Sequence, residues 1–501
     1  MLNLAVILRE SATARPGAPA IMHDGGTVTY AELDARSDAV AAALTARGIR
    51  PGDRVGLHLP NIPEFPVAYY GILKAGAVVV PLNVLLRGPE ITHQLADSGA
   101  RLLITWTPLL EQAAKGAADA GISECYAAGP PPPGPAHPFT DLTEPVAGPF
   151  PPADRQADDP AAIVYTSGTT GLPKGAELTH LQLYMNADIP GRLFDLHCED
   201  VIVTVLPMFH VFGMCSAMNV GIRFGAALSL VPRFTPDAVL RAITRDRATI
   251  FDGVPTMFGA LLAHPDDGRY DTSSLRVCIS GGDAIPASVL DGFEQRFGVP
   301  ILEGYGMTET AATISFNPSP DDRRVYSVGR PVWGVEVQIW DETGRRLPPG
   351  RDRIGEIVTR GYHTMRGYHD APEATAEAFE GGWFHTGDLG YVDGDGYLFI
   401  VDRKKELIIR GGYNVYPREV EEVLHQHPDV LMAAVVGVPD DRLGQEVKAF
   451  VVLRPGSTVT GDDVIAHCRE RAAAYKCPRI VEFRPELPLS GAGKVLKKSL
   501  T

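Results

Sequence analysis

The stretch YTSGTTGLPKGAELTH, residues 165–180, places three glycines, four Ser/Thr hydroxyls and one lysine within its first eleven residues. The run AAIVY (161–165) that leads into it reads as a buried strand. Glycines permit backbone conformations that aim several N–H groups at an anion, hydroxyls add donors, and Lys174 supplies a positive charge. Such a loop could hold phosphate. It is not the nucleoside-triphosphatase motif G-x-x-x-x-G-K-[ST], because counting from Gly168 the sixth position is Pro173 and Lys174 is followed by Gly175. No G-x-G-x-x-G dinucleotide fingerprint is present here either. Thr179 and Gln182 have the spacing of a capping box, which predicts that a helix starts there. On composition alone an ordinary Ser/Gly-rich loop stays open.

Outward from the loop, the chain alternates strand and helix. VTYAELDARSDAVAAALTARGI reads as a short strand and an amphipathic helix stopped at Gly48. RVGLHL (54–59) and AVVVPL (77–82) read as buried strands, and EITHQLADSGARLLITW repeats the helix-then-strand rhythm. This alternation predicts mostly parallel sheets covered by helices. The proline-rich stretches GPPPPGPAHP (129–138) and PVAGPFPPAD (145–154) are expected to form an exposed connection. A second α/β run follows from residue 161 to about Tyr326. Alternating apolar residues with Gly/Asp turns from GRPVWGVEVQIWDETG to GYLFIVDR then predict a small antiparallel sheet or barrel, and the last hundred residues hold one more compact α/β pattern.

Composition excludes some function classes. The chain of 501 residues is long enough for about three structural units. Its formal net charge of −15 leaves no overall basic field to attract nucleic acid. The six cysteines form no CxxC pair and no zinc-ligand spacing, so they are expected to be reduced thiols of a cytoplasmic protein. The apolar run at the N-terminus has no basic residues before it and is expected to pack as a helix, not to serve as a leader. No apolar stretch approaches the ~20 residues that span a bilayer.

Six segments, in order, carry a resemblance: YTSGTTGLPKG (165–175), GGDAIP (281–286), YGMTET (305–310), TGD (386–388), DRKKELIIRGGYNVYPREVE (402–421) and PLSGAGKVLKK (488–498). With them the chain resembles the adenylate-forming superfamily of acyl-CoA synthetases, luciferases and peptide-synthetase adenylation domains, over nearly its whole length. The resemblance implies an α/β fold. A large N-terminal domain (1–401) would hold two doubly wound α/β subdomains plus a small distorted β-barrel, and a small mobile α+β C-terminal domain (402–501) would carry a catalytic lysine. It implies ATP, Mg²⁺ and coenzyme A as cofactors and a small-molecule carboxylic acid as substrate. The carboxylate attacks the α-phosphate of ATP to give acyl-AMP and pyrophosphate, and a thiol then displaces AMP. Two anions meet in the first step, so positioning and charge neutralisation carry the catalysis.

The same resemblance assigns residues. Lys494 matches the lysine that reaches the α-phosphate and the attacking carboxylate. Glu309 matches the metal carboxylate, with Thr166 as the second metal contact. The loop residues Thr166, Ser167, Gly168, Thr169, Thr170, Gly171 and Lys174 would hold phosphate. Asp388 and Arg403 match the ribose contacts. Tyr305, with Gly304, Gly306, Met307 and Thr308 beside it, would flank the adenine together with Gly282 and Asp283, although the family often has a small residue where Asp283 stands. Gly411 and Gly412 match the segment lining the pantetheine tunnel when the lysine has swung out. Lys405 matches the hinge of that rotation, and Arg418 and Lys476 are candidates for the CoA phosphates.

The substrate is narrowed by two neighbours. Amino-acid-activating relatives place an aspartate after the phenylalanine where this chain has Phe209–His210, and dicarboxylate-activating relatives carry an arginine where it has Gly304. The pocket segments FHVFGMCSAMNVGI (209–222), FDGVPTMF (251–258) and YGMTETAAT (305–313) are mainly apolar and suit an alkyl chain or an aromatic ring. His210 is a candidate to orient the carboxylate. The leading expectation is an acyl-CoA synthetase for a medium- or long-chain fatty acid. The alternatives are an aryl-CoA ligase or an acyl-AMP ligase that loads a carrier protein, and a homodimeric state is left open.

Overall fold

Buried apolar runs become the central strands of two parallel sheets. The computed structural model describes residues 2–134, 136–166, 172–265, 268–440, 442–491 and 493–500. In the first sheet the order is Gly367–Tyr368, Lys174–Thr179, Pro160–Thr166, Val78–Pro81, Arg54–His58, Ala100–Trp106, Cys125–Ala128 and His137–Pro138. The strands from Pro160–Thr166 onward run parallel, and the other two add antiparallel at the edge. The second sheet has a parallel centre made of Ile301–Tyr305, Val277–Ser280, Ile250–Gly253, Val201–Thr204, Ala227–Leu230 and Pro19–His23, with short antiparallel edges. Strands such as VVVP and VCIS are buried on both faces, as helices covering a parallel sheet require. The mostly parallel sheets predicted from the alternation are therefore present, as are the two doubly wound units that the resemblance implies.

One large apolar core is shared by these sheets. Asn61 crosses between them, its amide donating to the carbonyls of Thr204 and Leu206 at 2.9 Å each. The fully buried Lys74 binds Asp34 and Asp38 at 2.6 Å, tying helix Glu64–Lys74 to helix Tyr30–Ala46. This cluster also captures the second proline-rich stretch. The Phe150 amide donates to Asp38 and the Ala153 amide donates to the Lys74 carbonyl. That stretch is thus partly packed, whereas the first is largely exposed, as expected of a connection.

The small antiparallel unit is a four-stranded meander of Val335–Trp340, Gly355–Gly361, Phe384–Val392 and Leu398–Arg403. Beyond it, Tyr413–Val415, Ile408–Arg410, Gly444–Leu453, Val430–Asp440 and Ile480–Phe483 form a separate sheet. Helices Pro417–His425 and Gly461–Arg471 pack on it around a core of their own. The N-terminal run is helix Val6–Ala14. All six cysteines are free thiols, five of them buried. Among the described residues no helix is long and apolar enough to cross a membrane.

Two local structures differ from the sequence reading. A strand, Lys174–Thr179, stands between the glycine-rich loop and the helix, so the loop joins two antiparallel strands. The Thr179–Gln182 capping box does start helix His180–Leu193, but after that strand. Phe212–Asn219 is a π-helix, a conformation that appears mostly as short insertions at functional sites.

Candidate active site

The chemistry-bearing segments sit at the carboxyl ends of parallel strands, where open α/β sheets bind ligands. The loop follows Pro160–Thr166, Val254 follows Ile250–Gly253, Gly281–Gly282 follows Val277–Ser280, and Tyr305 ends Ile301–Tyr305. The turn Thr308–Thr310 packs against both strands that flank the loop.

This turn is strained. Ala311 and Ala312 both adopt positive φ, 47° and 74°, a conformation that costs a non-glycine residue of order 1 kcal/mol or more. A Cβ on Gly306 would stand 2.1 Å from the Ala312 carbonyl, so only glycine lets the chain fold back there. The return is fixed where the Ile314 amide donates to the Tyr305 carbonyl at 2.7 Å. Glu309 is thereby held buried, its Oε1 accepting from the Tyr368 hydroxyl at 2.9 Å. Burial raises its carboxyl above the ordinary value, against the pull of its backbone N–H and of Tyr368. Lys174 lies exposed, its Nζ 5.2 Å above the centre of the Tyr368 ring.

Asp388 and Arg403 are register partners on adjacent strands of the meander, with Nε and Oδ1 3.3 Å apart. The Tyr305 hydroxyl donates to the other Asp388 oxygen at 2.5 Å. Burial raises the Asp388 carboxyl, and Arg403 and Tyr305 oppose that rise.

Lys494 reaches this group from the other domain. It stands on a tight turn: its amide donates to the Ser490 hydroxyl at 3.1 Å, and the Ser490 amide donates to its carbonyl at 2.7 Å. The turn docks where the Thr256 hydroxyl donates to the Gly493 carbonyl at 3.0 Å. A Cβ on Gly493 would lie 2.9 Å from Val254 Cγ2, and one on Gly491 2.6 Å from the Asn83 amide nitrogen, so the docking surface has room for hydrogen only. Lys494 Cε comes within 2.9 Å of where a Gly282 Cβ would be. Burial lowers its amino group, as does Arg403; Asp283, Asp388 and Glu309 act in the opposite direction. His210 feels the Lys494 charge too, but burial is the larger cause that pushes its imidazole down to about 3. It accepts from the Phe212 amide at 3.3 Å, so at neutral pH it is an uncharged ring.

The structure thus brings Lys494, Glu309, Asp388, Arg403, Tyr305, Gly282, Asp283 and His210 together; Gly304, Gly306, Met307 and Thr308 adjoin Tyr305 in the chain, and Thr166 and Lys174 face each other across the two strands that flank the loop. Asp283 is exposed, with one oxygen accepting from the Ala284 amide. Ser167, Gly168, Thr169, Thr170 and Gly171 lie outside the described residues. Gly411 and Gly412 form the exposed turn between Ile408–Arg410 and Tyr413–Val415, beside Leu443 of their own domain and apart from the Lys494 group. Lys405 lies in the segment joining the meander to that hairpin. Arg418 donates to the Ile400 carbonyl at 2.9 Å and Lys476 pairs with Glu419 at 2.5 Å, so each has a protein partner. The sequence reading did not single out Tyr368, Thr256 or Asn83. Thr256 lies within the pocket segment FDGVPTMF, the other two lie in no quoted motif, and each acts through tertiary contact.

A lysine is thus delivered by one domain into a ring of acidic, aromatic and glycine residues on another, at the strand ends where open α/β sheets bind ligands. The chain belongs to the family of AMP-binding enzymes: the family's main domain matches residues 8–369, and the AMP-binding enzyme C-terminal domain matches 419–494. It is an acid–CoA ligase of the AMP-forming type. It is 41% identical to a feruloyl-CoA synthase of Amycolatopsis sp over 487 residues, covering 96% of this chain and 95% of the relative. It is 35% identical to a long-chain-fatty-acid–CoA ligase of Bacillus subtilis over 530 residues, 99% of this chain and 94% of that one. Among solved structures, an anthranilate CoA ligase in complex with anthranoyl-AMP superposes with a TM-score of 0.93 at 31% identity, covering 99% of this chain and 96% of that one.

Proposed function

We propose that this chain joins a carboxylic acid with an apolar body to ATP, giving acyl-AMP and pyrophosphate, and then passes the acyl group to the thiol of CoA. The observation that carries the reading is Lys494 docked against Gly282, within reach of Asp388, Arg403 and Glu309. There its ammonium meets the place where carboxylate and α-phosphate must approach, and it offsets their repulsion. Asp388 accepts hydrogen bonds from the ribose hydroxyls, with Arg403 beside it. Tyr305 and the Gly281–Asp283 segment flank the base. Neutral His210, at the mouth of the acyl pocket, donates to the carboxylate.

Glu309 and Thr166 fit a magnesium ion, since both offer oxygen ligands and a divalent cation would compensate the burial that raises the Glu309 carboxyl. When bound, that ion neutralises phosphate charge. Residues 402–501 form the moving unit, turning at Lys405 to exchange the Lys494 face for the Gly411–Gly412 face. The 41% identical feruloyl-CoA synthase supports an aromatic acid as the preferred substrate. The fatty-acid reading has the support of the Bacillus relative and of the apolar pocket segments.

The test is mass spectrometry of products from ATP, Mg²⁺ and a panel of fatty, benzoic and phenylpropenoic acids, with and without CoA. Acyl-CoA forming only when CoA is added is the expected result. Acyl-AMP that persists despite CoA would refute it and point to a carrier-protein acceptor.

A further inference from the structure

Helix Pro417–His425 of the small domain has two working faces. Val420, Val423 and Leu424 belong to the small domain's own apolar core. Arg418 and Glu422, one turn apart, face the large domain instead. The Arg418 Nη1 donates to the Ile400 carbonyl at 2.9 Å, and the Arg418 amide donates to Asp402 Oδ2 at 3.1 Å. Both acceptors lie on the meander strand Leu398–Arg403, before Lys405 in the chain, whereas Arg418 lies after it. The two bonds therefore join segments on opposite sides of the residue at which the small domain turns.

A carboxyl of the large domain faces the same guanidinium. Glu303 stands on Ile301–Tyr305, two residues before Tyr305, and is 6% exposed. Burial raises its carboxyl to about 7; Arg418 opposes that rise and Glu422 adds to it. Burial raises Glu422 as well, and again Arg418 opposes the rise. One cation thus serves an acidic group from each domain. Without it, two like charges would face each other across the boundary with little water to screen them.

We propose that Arg418 is a positioning residue for the first half-reaction: bonded to the Ile400 carbonyl and set against Glu303 and Glu422, it holds the small domain in the arrangement that presents Lys494, and it lets go before CoA is used. This rests on the ligase reading given above and on the rotation included in it. The partners of Arg418 lie outside the ring around Lys494, so it acts on the chemistry through the placement of the domain. A rotation that brings the Gly411–Gly412 face inward must break its bond to Ile400. That bond is polar and lies on the far side of the helix from the apolar core, so the small domain stays folded when it opens. The role differs from the contact with CoA phosphates expected from the sequence, because here the guanidinium is already engaged.

The experiment replaces Arg418 by methionine, which keeps an apolar stem and removes the charge and the donors. The two half-reactions of the full chain are then followed separately, with an acid that the wild type converts. Acyl-AMP formation from ATP, Mg²⁺ and the acid should slow about tenfold, the scale of one hydrogen bond from a charged donor. Acyl-CoA formation from supplied acyl-AMP should keep its rate and its KM for CoA. Arg418→Lys, which keeps the charge, should lose less in the first step. Should the methionine variant not fold, the lysine variant carries the same two measurements, its smaller loss again confined to adenylation. A raised KM for CoA with adenylation unchanged would overturn the proposal and return Arg418 to the CoA phosphates. Equal slowing of both steps would overturn it by making the residue merely structural. A wild type that forms no acyl-AMP from any fatty, benzoic or phenylpropenoic acid would fall on the ligase reading itself and remove this inference with it.

Discussion

Replacing Asp252 by asparagine should stabilise the protein, and by more as the pH rises. The side chain lies buried on strand Ile250–Gly253, and among the described residues neither carboxyl oxygen has a hydrogen-bond partner. Burial pushes the Asp252 carboxyl from 3.8 up to about 8. At neutral pH the unfolded chain carries this group ionised, and the folded chain carries it protonated. The group's pKa is raised on folding, so its contribution is intact below about pH 4 and is lost as pH climbs toward 8. Each pH unit in that window costs about 1.4 kcal/mol, or about 4 kcal/mol by pH 7. Asparagine fills nearly the same volume without that proton. The assay is the guanidinium unfolding midpoint of both proteins at pH 5, 6, 7 and 8, following the transition of the large domain. Taking the difference between the two proteins cancels every other titrating group. A difference that widens steadily with pH is expected. A difference that stays flat, or a wild type that is the more stable at pH 8, would mean that Asp252 is ionised and partnered, and the reasoning would be refuted.

Other consequences follow from the docked lysine. Lys494→Ala should reduce acyl-AMP formation by ~10²–10³, with thioester formation from supplied acyl-AMP much less affected; single-turnover assays of the two half-reactions separate them. Because burial lowers the Lys494 amino group, kcat/KM for adenylation should fall on the alkaline side with a midpoint below that of an ordinary lysine, and this limb should be missing from the residual activity of the alanine variant. Gly493→Val should press on Val254 and strain a residue at φ 80°, slowing adenylation at least about tenfold without a matching loss in the thioester step.

Much of this site is legible in the sequence because its parts are contiguous. The Lys494 turn, the Tyr305–Thr310 strand end and the Asp388–Arg403 pairing each lie in or between short motifs whose order survives folding. The parallel sheets are legible for a similar reason: VVVP and AAIVY are short, nearly unbroken apolar runs, as a strand covered on both faces requires. What escaped the reading depends on groups far apart in the chain. KGAELT has the alternation of a strand but is short and follows glycine and proline, and its pairing with Pro160–Thr166 decides its conformation. The π-helix has no compositional mark. Tyr368 is known as a Glu309 partner only once the edge strand Gly367–Tyr368 is laid beside Lys174–Thr179. PVAGPFPPAD looks like a free linker until the buried Asp38–Lys74 pair claims its amide groups. Asp252 is one acidic residue in an apolar segment, and nothing in FDGVPTMF says that both its oxygens are left unpaired.

The contact at Gly493 has a further meaning for the speed of the enzyme. Thr256 grips a main-chain carbonyl across a surface that admits no side chain, so at this point the contact consists of one neutral hydrogen bond and close packing. Such a bond contributes about 1 kcal/mol net, a bias of roughly fivefold between staying and leaving. So shallow a hold at this point would serve the rotation proposed above, in which the domain presents first one face and then the other. Every additional kcal/mol at this point would lengthen the dwell by the same factor again. Under the rotation proposed above, a firmer grip on Gly493 would slow the exchange of faces and with it turnover.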